Sequence, residues 1–344
     1  MLHYLARPHE GPASRPVGGP AAWKRADLPT AESLFEALSA NEVDEARRAV
    51  DHAVRTGKPT GAMRREDLPL PTLGPRIHGF REVLSRGRGF VLLRGLPVDR
   101  WSTEESERFF WGFGLHLGIP GAQNPQGDLL GHVRDQGFAD QVDVRGYRTR
   151  ANIAFHCDAA DVVGLLCLRA AVRGGKSRIA SSVAVHDALL ASRPDLAEDL
   201  YEPFLLDTKG EGGMRYFPVP PCRYAHGRLR TFWHTDYFGS VDRLPGAPPL
   251  GAKRRELIAL YEELAGSPDF CFEMDLAPGD VQLLSNHTIV HGRTAFEDSA
   301  VPGEHRHLLR LWLSLPGENP WPETARAFLG LVGRLGLEKL RQRS

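Results

Sequence analysis

Between residues 88 and 316 the chain breaks into short apolar runs separated by glycine- and proline-rich turns. Runs of that length are too short for core helices and read as strands, with turns recurring roughly every ten residues in the central part. Helical stretches are interspersed among them. The pattern predicts a mixed α/β chain with a mainly β core. Its two sheets would face each other as a double-stranded β-helix, or jelly roll, with flanking helices, rather than form one parallel α/β sheet.

Taken in order, residues 1–30 are rich in Pro, Gly and Ala and form an arm that either drapes over the domain or stays loose. Residues 31–56 carry apolar positions on a helical period, and a second helix is expected over 76–85. Residues 89–97 read as a buried strand. Ser102, Thr103, Glu104 and Glu105 form a capping box that opens a helix to about Leu117. Residues 121–150 make a long polar loop with one short strand, 129–134; a loop of that length is usually functional or disordered. Strands follow at 151–155, 165–171 and 178–183, and helices at 185–192 and 194–201. Strands at 204–208 and 228–232 bracket a proline-rich turn region, 217–222. A helix at 250–265, a strand at 270–276 and a tight turn at 277–280 lead into strands 281–291 and 307–315.

The expected organisation is one structural domain. Residues 1–87 supply an arm and helices packing on the core, 88–316 the jelly roll with helical insertions, and 317–344 a C-terminal helix. In that helix Phe328, Leu331, Val332, Leu335 and Leu340 form an apolar stripe interrupted by Gly330, Gly333 and Gly336. It packs either on its own chain or across a homodimer interface.

Composition narrows the function classes. Lys+Arg number 43 and Asp+Glu 43, so no bulk charge favours nucleic acid or an anionic membrane. No run approaches membrane-spanning length, and residues 1–16 lack the apolar core of a signal peptide. Cys157, Cys167, Cys222 and Cys271 are scattered without a CxxC pair, against both a zinc knuckle and a disulfide framework. The expectation is a soluble cytoplasmic protein acting on a small molecule, with neither nucleic acid nor membrane as partner.

Chemistry concentrates at His156-Cys157-Asp158, which lies between two apolar runs. Residues two apart on a strand face the same way, so an imidazole and a carboxylate can take adjacent positions on a metal ion. A second histidine would complete the facial triad of non-haem Fe(II) oxygenases, leaving open positions for reactants. His291 and His287, four residues apart, both qualify by spacing. A rival pair, His234 and Asp236, is set aside because loops and a helix surround it rather than two buried strands. Cys157, between the ligands, should point away and pack as a small hydrophobe.

The ordered series of motifs resembles the Fe(II)/2-oxoglutarate-dependent dioxygenases of the taurine dioxygenase (TauD/TfdA) family, with their clavaminate synthase-like relatives. It runs from His156-Cys157-Asp158 to Gly174-Gly175-Lys176-Ser177, Ser181-Ser182 and the helix start around Ala184 to Leu189. Pro278-Gly279-Asp280, Asn286 to His291, and Arg306 with Arg310 follow. Seven matches in unbroken order are far more specific than any one of them.

The resemblance implies that His156, Asp158 and His291 bind Fe(II), His287 taking a variable position. It implies that Arg306, with Ser177, grips the distal carboxylate of 2-oxoglutarate, that Asn152 lines the site, and that Arg310 contacts an anionic group of the substrate. Gln123, Asn124 and His132, in the polar loop, are candidates to face the substrate, and Asn286 reads as structural. The implied reaction consumes O2, converts 2-oxoglutarate to succinate and CO2, and oxidises an unactivated C–H of a small anionic molecule. Hydroxylation is the default; desaturation, epoxidation and cyclisation are other outcomes. Two further readings stand beside it: a cupin-like metalloenzyme without an oxo-acid co-substrate, and a non-catalytic protein binding the metal or 2-oxoglutarate.

Overall fold

The computed structural model describes residues 2–5, 7–124, 126–138, 146–209, 214–301 and 303–316. Among these the first strands are β1 Phe35–Ala37, β2 Phe90–Arg94, β3 Ile119–Pro120, β4 Leu130–Val133, β5 Ile153–His156 and β6 Val162–Arg169. Then come β7 Arg173–Gly174, β8 Ser177–Ser181, β9 Phe204–Asp207, β10 Tyr216–Val219, β11 Cys222–Ala225 and β12 Arg228–Thr231. The last are β13 Phe272–Met274, β14 Val281–Ser285, β15 Ile289–Arg293, β16 Phe296–Glu297 and β17 His307–Ser314. The longer helices are α1 Ala40–Arg55, α2 Leu73–Ser85, α3 Thr103–Leu117, α4 Ser182–Ser192 and α5 Pro194–Asp199, followed by the short α6 Thr235–Gly239 and by α7 Ala252–Gly266.

Two sheets face each other as the jelly roll expects. The larger runs β1-β2-β14-β6-β17-β3, with β4 also on β17; the smaller runs β13-β8-β15-β5. All pairings in both are antiparallel except β1 on β2. Strand alternation sorts the side chains into three layers. Val281 and Leu283 of β14 and Leu309, Leu311 and Leu313 of β17 face outward onto α1, α2 and α3. Val290, Phe155 and Ala180 face outward from the smaller sheet onto α4, α5 and α7. Between the sheets Phe90, Leu92, Val163, Leu284, Leu308, Ile179, Phe272 and Ile289 form an apolar cluster. Polar residues share the same inner faces, with His291 opposite Ile179 and Gln282 opposite Leu92.

Several elements differ from the sequence expectation, each for a physical reason. Residues 31–56 are not one helix. A single turn, Ala31–Leu34, gives way to β1, which joins the larger sheet; α1 then starts anew at a Ser39–Glu42 capping box. Residues 281–291 are not one strand either. Asn286, His287 and Thr288 break the run, so β14 lies in the larger sheet and β15 in the smaller one. The proline-rich 217–222 region belongs to two hairpins, β9–β10 and β11–β12; Pro218 is tolerated because β10 pairs with a single neighbour. The arm drapes: Val17 and Gly18 donate to Asp187, and Ala13 to the Tyr201 hydroxyl. The expected helix over 322–341, and with it the homodimer idea, lies outside the described residues. All four cysteines are buried free thiols. No helix among the described residues is long and apolar enough to cross a membrane.

The Pro278-Gly279-Asp280 turn ties two strands of the larger sheet together. Asp280 is fully buried and accepts two bonds from Arg94, at 2.9 and 2.8 Å, and one from the Ala277 amide. Gly279 has φ +86°, and a Cβ there would lie 2.1 Å from the Leu96 carbonyl oxygen. Gly279→Ala is therefore expected to cost about 2 kcal/mol or more, read as a lower thermal-unfolding midpoint. An unchanged midpoint would show that this turn can relax freely.

Candidate metal and co-substrate site

The polar part of the interior is built on β5, β8, β15 and the start of β17. His156 and His291 stand directly opposite each other across β5 and β15. Opposed residues share a face, and their ring centroids lie 4.2 Å apart. Asp158 follows just beyond β5, with its Oδ2 3.8 Å from His291 Nε2. One ligand atom from each of the three lies within 4.8 Å of the others, close enough to meet a single ion. Nδ1 of His156 donates to the Ala154 carbonyl at 3.0 Å. That fixes the tautomer and presents Nε2 as a lone pair, as metal-binding histidines require.

Electrostatics favour the ligating protonation states. Burial, and then His156 beside it, pull His291 down to about 3, so the ring is neutral. Burial works to raise the Asp158 carboxyl, but Arg310, His291 and His156 outweigh it and hold it below the usual range. Asp158 Oδ2 and His291 Nδ1 are buried without hydrogen-bond partners. A divalent cation satisfies the carboxylate oxygen; this donor set, two imidazoles and one carboxylate, suits iron.

Just before β17, in the sheet that faces β5 and β15, lies Arg306, 6% exposed. Its Nη1 is buried without a partner, and its guanidinium sits over the Phe296 ring at 5.1 Å. Burial lowers its pKa, the mark of a cation deprived of water. Gly175 makes room for it: a Cβ there would lie 3.1 Å from Arg306 Nε. Ser177, at the start of β8, is buried and donates to Gln282 Oε1 at 3.0 Å. An anion such as the distal carboxylate of 2-oxoglutarate fits this pocket of buried donors.

Other expected residues are placed differently. Arg310 projects from the inner face of β17 over Trp312 and donates to Gln123 Oε1 at 2.7 Å. Gln123 is buried, and its amide also donates to the Arg310 and Leu129 carbonyls, so it orients the arginine from behind. Asn124 is spent on closing its own loop with Asp128. His132 pairs with Leu309, on the outward side of β17, and its ring meets His307 at 2.8 Å and Glu107 of α3 at 3.6 Å. The structure does not bring it to the metal site. Asn152 is exposed, and the period-two argument for it fails at an irregularity: Ile153, not Ala154, stands opposite Arg293.

Two neighbours of the site were not foreseen, His234 and Trp312. His234, of the discarded pair, bridges its backbone to His156, and the two rings lie 5.0 Å apart; His234 in turn stacks on Tyr237 at 3.6 Å. The loop-rich surroundings are real, but they fold against β5. Trp312 lies beside Asp158. His287, the rival ligand, donates instead to Asp161 at 2.8 Å. The break after β14 points it away from the triad, and only the strand count around Asn286 could have revealed that. Asn286 itself accepts the Asp158 amide at 3.0 Å, a structural task as expected.

Comparison with known proteins identifies the family. The family described as "Taurine catabolism dioxygenase TauD, TfdA family" matches residues 54–312. The FR-33289 synthase of Streptomyces rubellomurinus is 30% identical over 319 residues, covering 90% of this chain and 93% of that protein. The taurine hydroxylase-like protein SAT17 of Stachybotrys chartarum is 29% identical over 325 residues, 87% of this chain and 80% of its own length. The crystal structure of asparagine oxygenase with Fe(II), hydroxyasparagine and succinate superposes with a TM-score of 0.66 at 19% identity, covering 83% of this chain and 98% of the other. The chain belongs to the TauD/TfdA family of Fe(II)- and 2-oxoglutarate-dependent dioxygenases.

Proposed function

We propose that this dioxygenase hydroxylates an unactivated C–H bond of a small organic anion at a site held by His156, Asp158 and His291. Iron bound there with 2-oxoglutarate and O2 supplies the oxidant that removes a substrate hydrogen, while the co-substrate becomes succinate and CO2. The observation that carries the reading is the buried Arg306 guanidinium, whose Nη1 lacks a partner, just before β17 in the sheet facing the one that carries the two histidines. A cation left in that state is costly, and a bidentate carboxylate relieves the cost.

The remaining residues divide the work. His291 offers a neutral imidazole, His156 presents Nε2 because Nδ1 is bonded to the Ala154 carbonyl, and Asp158 is kept ionised by Arg310. Ser177 adds a hydroxyl beside the co-substrate carboxylate. Arg310, braced by Gln123 and stacked on Trp312, presents its charge to the acidic group of the substrate. A planar guanidinium suits a carboxylate, sulfonate or phosphate alike.

One Fe(II) per chain is expected, with Mn(II) or Co(II) binding in its place. His291→Ala should abolish metal binding measured by calorimetry, whereas His287→Ala, which removes only a partner of Asp161, should weaken it without abolishing it; the reverse would exchange the two histidines. Arg306→Lys should weaken anaerobic 2-oxoglutarate binding by about 1.5–3 kcal/mol, roughly ten- to hundredfold in Kd, with metal content unchanged. Arg310→Ala should spare that binding and instead uncouple succinate formation from product. A panel of small acids against their neutral amides, read by succinate release and a mass gain of one oxygen, tests the substrate class. Turnover of the neutral set alone would refute the anionic assignment.

A further inference from the structure

Three residues beyond Asp158, the chain buries a second carboxylate, Asp161, which the reaction does not use. It is 1% exposed, and its two oxygens are shared among three distant segments. Arg7 Nη2 donates to Oδ1 at 2.7 Å, His287 Nε2 donates to the same oxygen at 2.8 Å, and the Leu315 amide donates to Oδ2 at 2.9 Å. The turn from Asp158 to Asp161 is gripped at both ends by Asn286, whose side-chain oxygen accepts the Asp158 amide and whose own amide donates to the Asp161 carbonyl at 2.9 Å. His287 lies in the crossing between β14 and β15, and Leu315 directly follows β17, so both belong to the jelly roll. Arg7 does not. It comes from the N-terminal arm, 154 residues away, and its side chain is 2% exposed.

The arm is anchored on both sides of this contact. The Tyr4 hydroxyl donates to the Pro220 carbonyl at 2.8 Å, and Arg223 Nε donates to the Arg7 carbonyl at 2.8 Å. The Glu10 amide donates to the Tyr224 carbonyl at 2.9 Å. Tyr4 and Asp158 line the same small cavity, together with Asn286 and His287. The arm thus closes the back of the segment that carries the carboxylate ligand. An ion pair dehydrated to this degree is strongly disrupted when one partner is removed, because the other charge is left buried. Here the charge left behind would be Asp161, in the same four-residue turn as Asp158.

We infer that Arg7 is a positioning residue for the metal ligand Asp158: by neutralising Asp161, the N-terminal arm holds the 158–161 turn in its ligating shape. The inference rests on the assignment of His156, Asp158 and His291 as the metal site. Because coupling between two events is reciprocal, a metal ion bound by Asp158 must also tighten the arm. Arm docking and metal binding are then one linked equilibrium.

The test uses the full chain and Mn(II). Arg7→Met, which keeps the side-chain length without the charge, is expected to raise the Mn(II) Kd by about tenfold or more, as loss of an outer partner of a ligand does. Arg7→Lys should recover most of that loss. In the wild type, Mn(II) should slow amide hydrogen exchange across residues 7–13, and in Arg7→Met it should not. Undiminished Mn(II) affinity in Arg7→Met, or arm exchange that Mn(II) leaves unchanged in the wild type, overturns the inference. If Arg7→Met does not fold, the wild-type exchange measurement decides alone. A wild type that binds Mn(II) equally well after His291→Ala, or not at all, refutes the metal-site assignment itself and this inference with it.

Discussion

The antiparallel pairing of β5 with β15 sets the geometry on which the rest of the site depends. It places His156 opposite His291 and turns both toward the interior. Register in a sheet is unforgiving, because a slip of one residue sends every side chain to the other face. Here such a slip would put Phe155 and Val290, which pack outward against α4, α5 and α7, into the interior, and would expose the two imidazoles to that apolar layer. Hydrophobic burial on the outer faces therefore fixes the register, and the register delivers the ligands. The catalytic residues are positioned by the packing of residues that never touch the chemistry.

The interior between the sheets mixes apolar and polar side chains. Phe90, Val163, Leu284, Ile179 and Phe272 share it with Arg306, Arg293, Gln282, Ser177 and the triad, and Ile179 stands opposite His291. Buried polar groups are tolerable only when they are bonded or await a ligand. Gln282 accepts from Ser177, and Arg293 donates from Nη2 to the Thr149 and Ala151 carbonyls while its Nε stays without a partner. Arg306 and Asp158 each keep an atom without a partner. Those unsatisfied atoms lie where a metal and an oxo-acid would bind, so some folding stability is given up to preorganise the site.

Much of this was legible in the sequence. The alternation of short apolar runs carried the jelly roll, and the Ser102–Glu105 box placed the start of α3 correctly. The triad and Arg306 came from an ordered motif series rather than from periodicity, which left His287 and His291 equivalent. What distinguishes those two is the break at Asn286, where the chain crosses from one sheet to the other. Periodicity assumes an unbroken strand and cannot see such a crossing. The same assumption misplaced Asn152, because an irregular pairing between β5 and β15 shifts the face on which it stands. His132 was misjudged for a different reason: membership of a polar loop says nothing about which side of β17 that loop pairs on. Asp161 and Arg7 carry no local pattern at all, since their contact spans 154 residues.

The central claim is that His156, Asp158 and His291 form one metal site that shares the interior with an anion pocket at Arg306. A crystal structure with Mn(II) and 2-oxoglutarate, located by the anomalous signal of the metal, tests both halves at once. The account predicts a single metal on His156 Nε2, an Asp158 oxygen and His291, with the far carboxylate of 2-oxoglutarate bonded to Arg306. Metal coordinated by His287, or by His234 with Asp236, or 2-oxoglutarate bound away from Arg306, would contradict it.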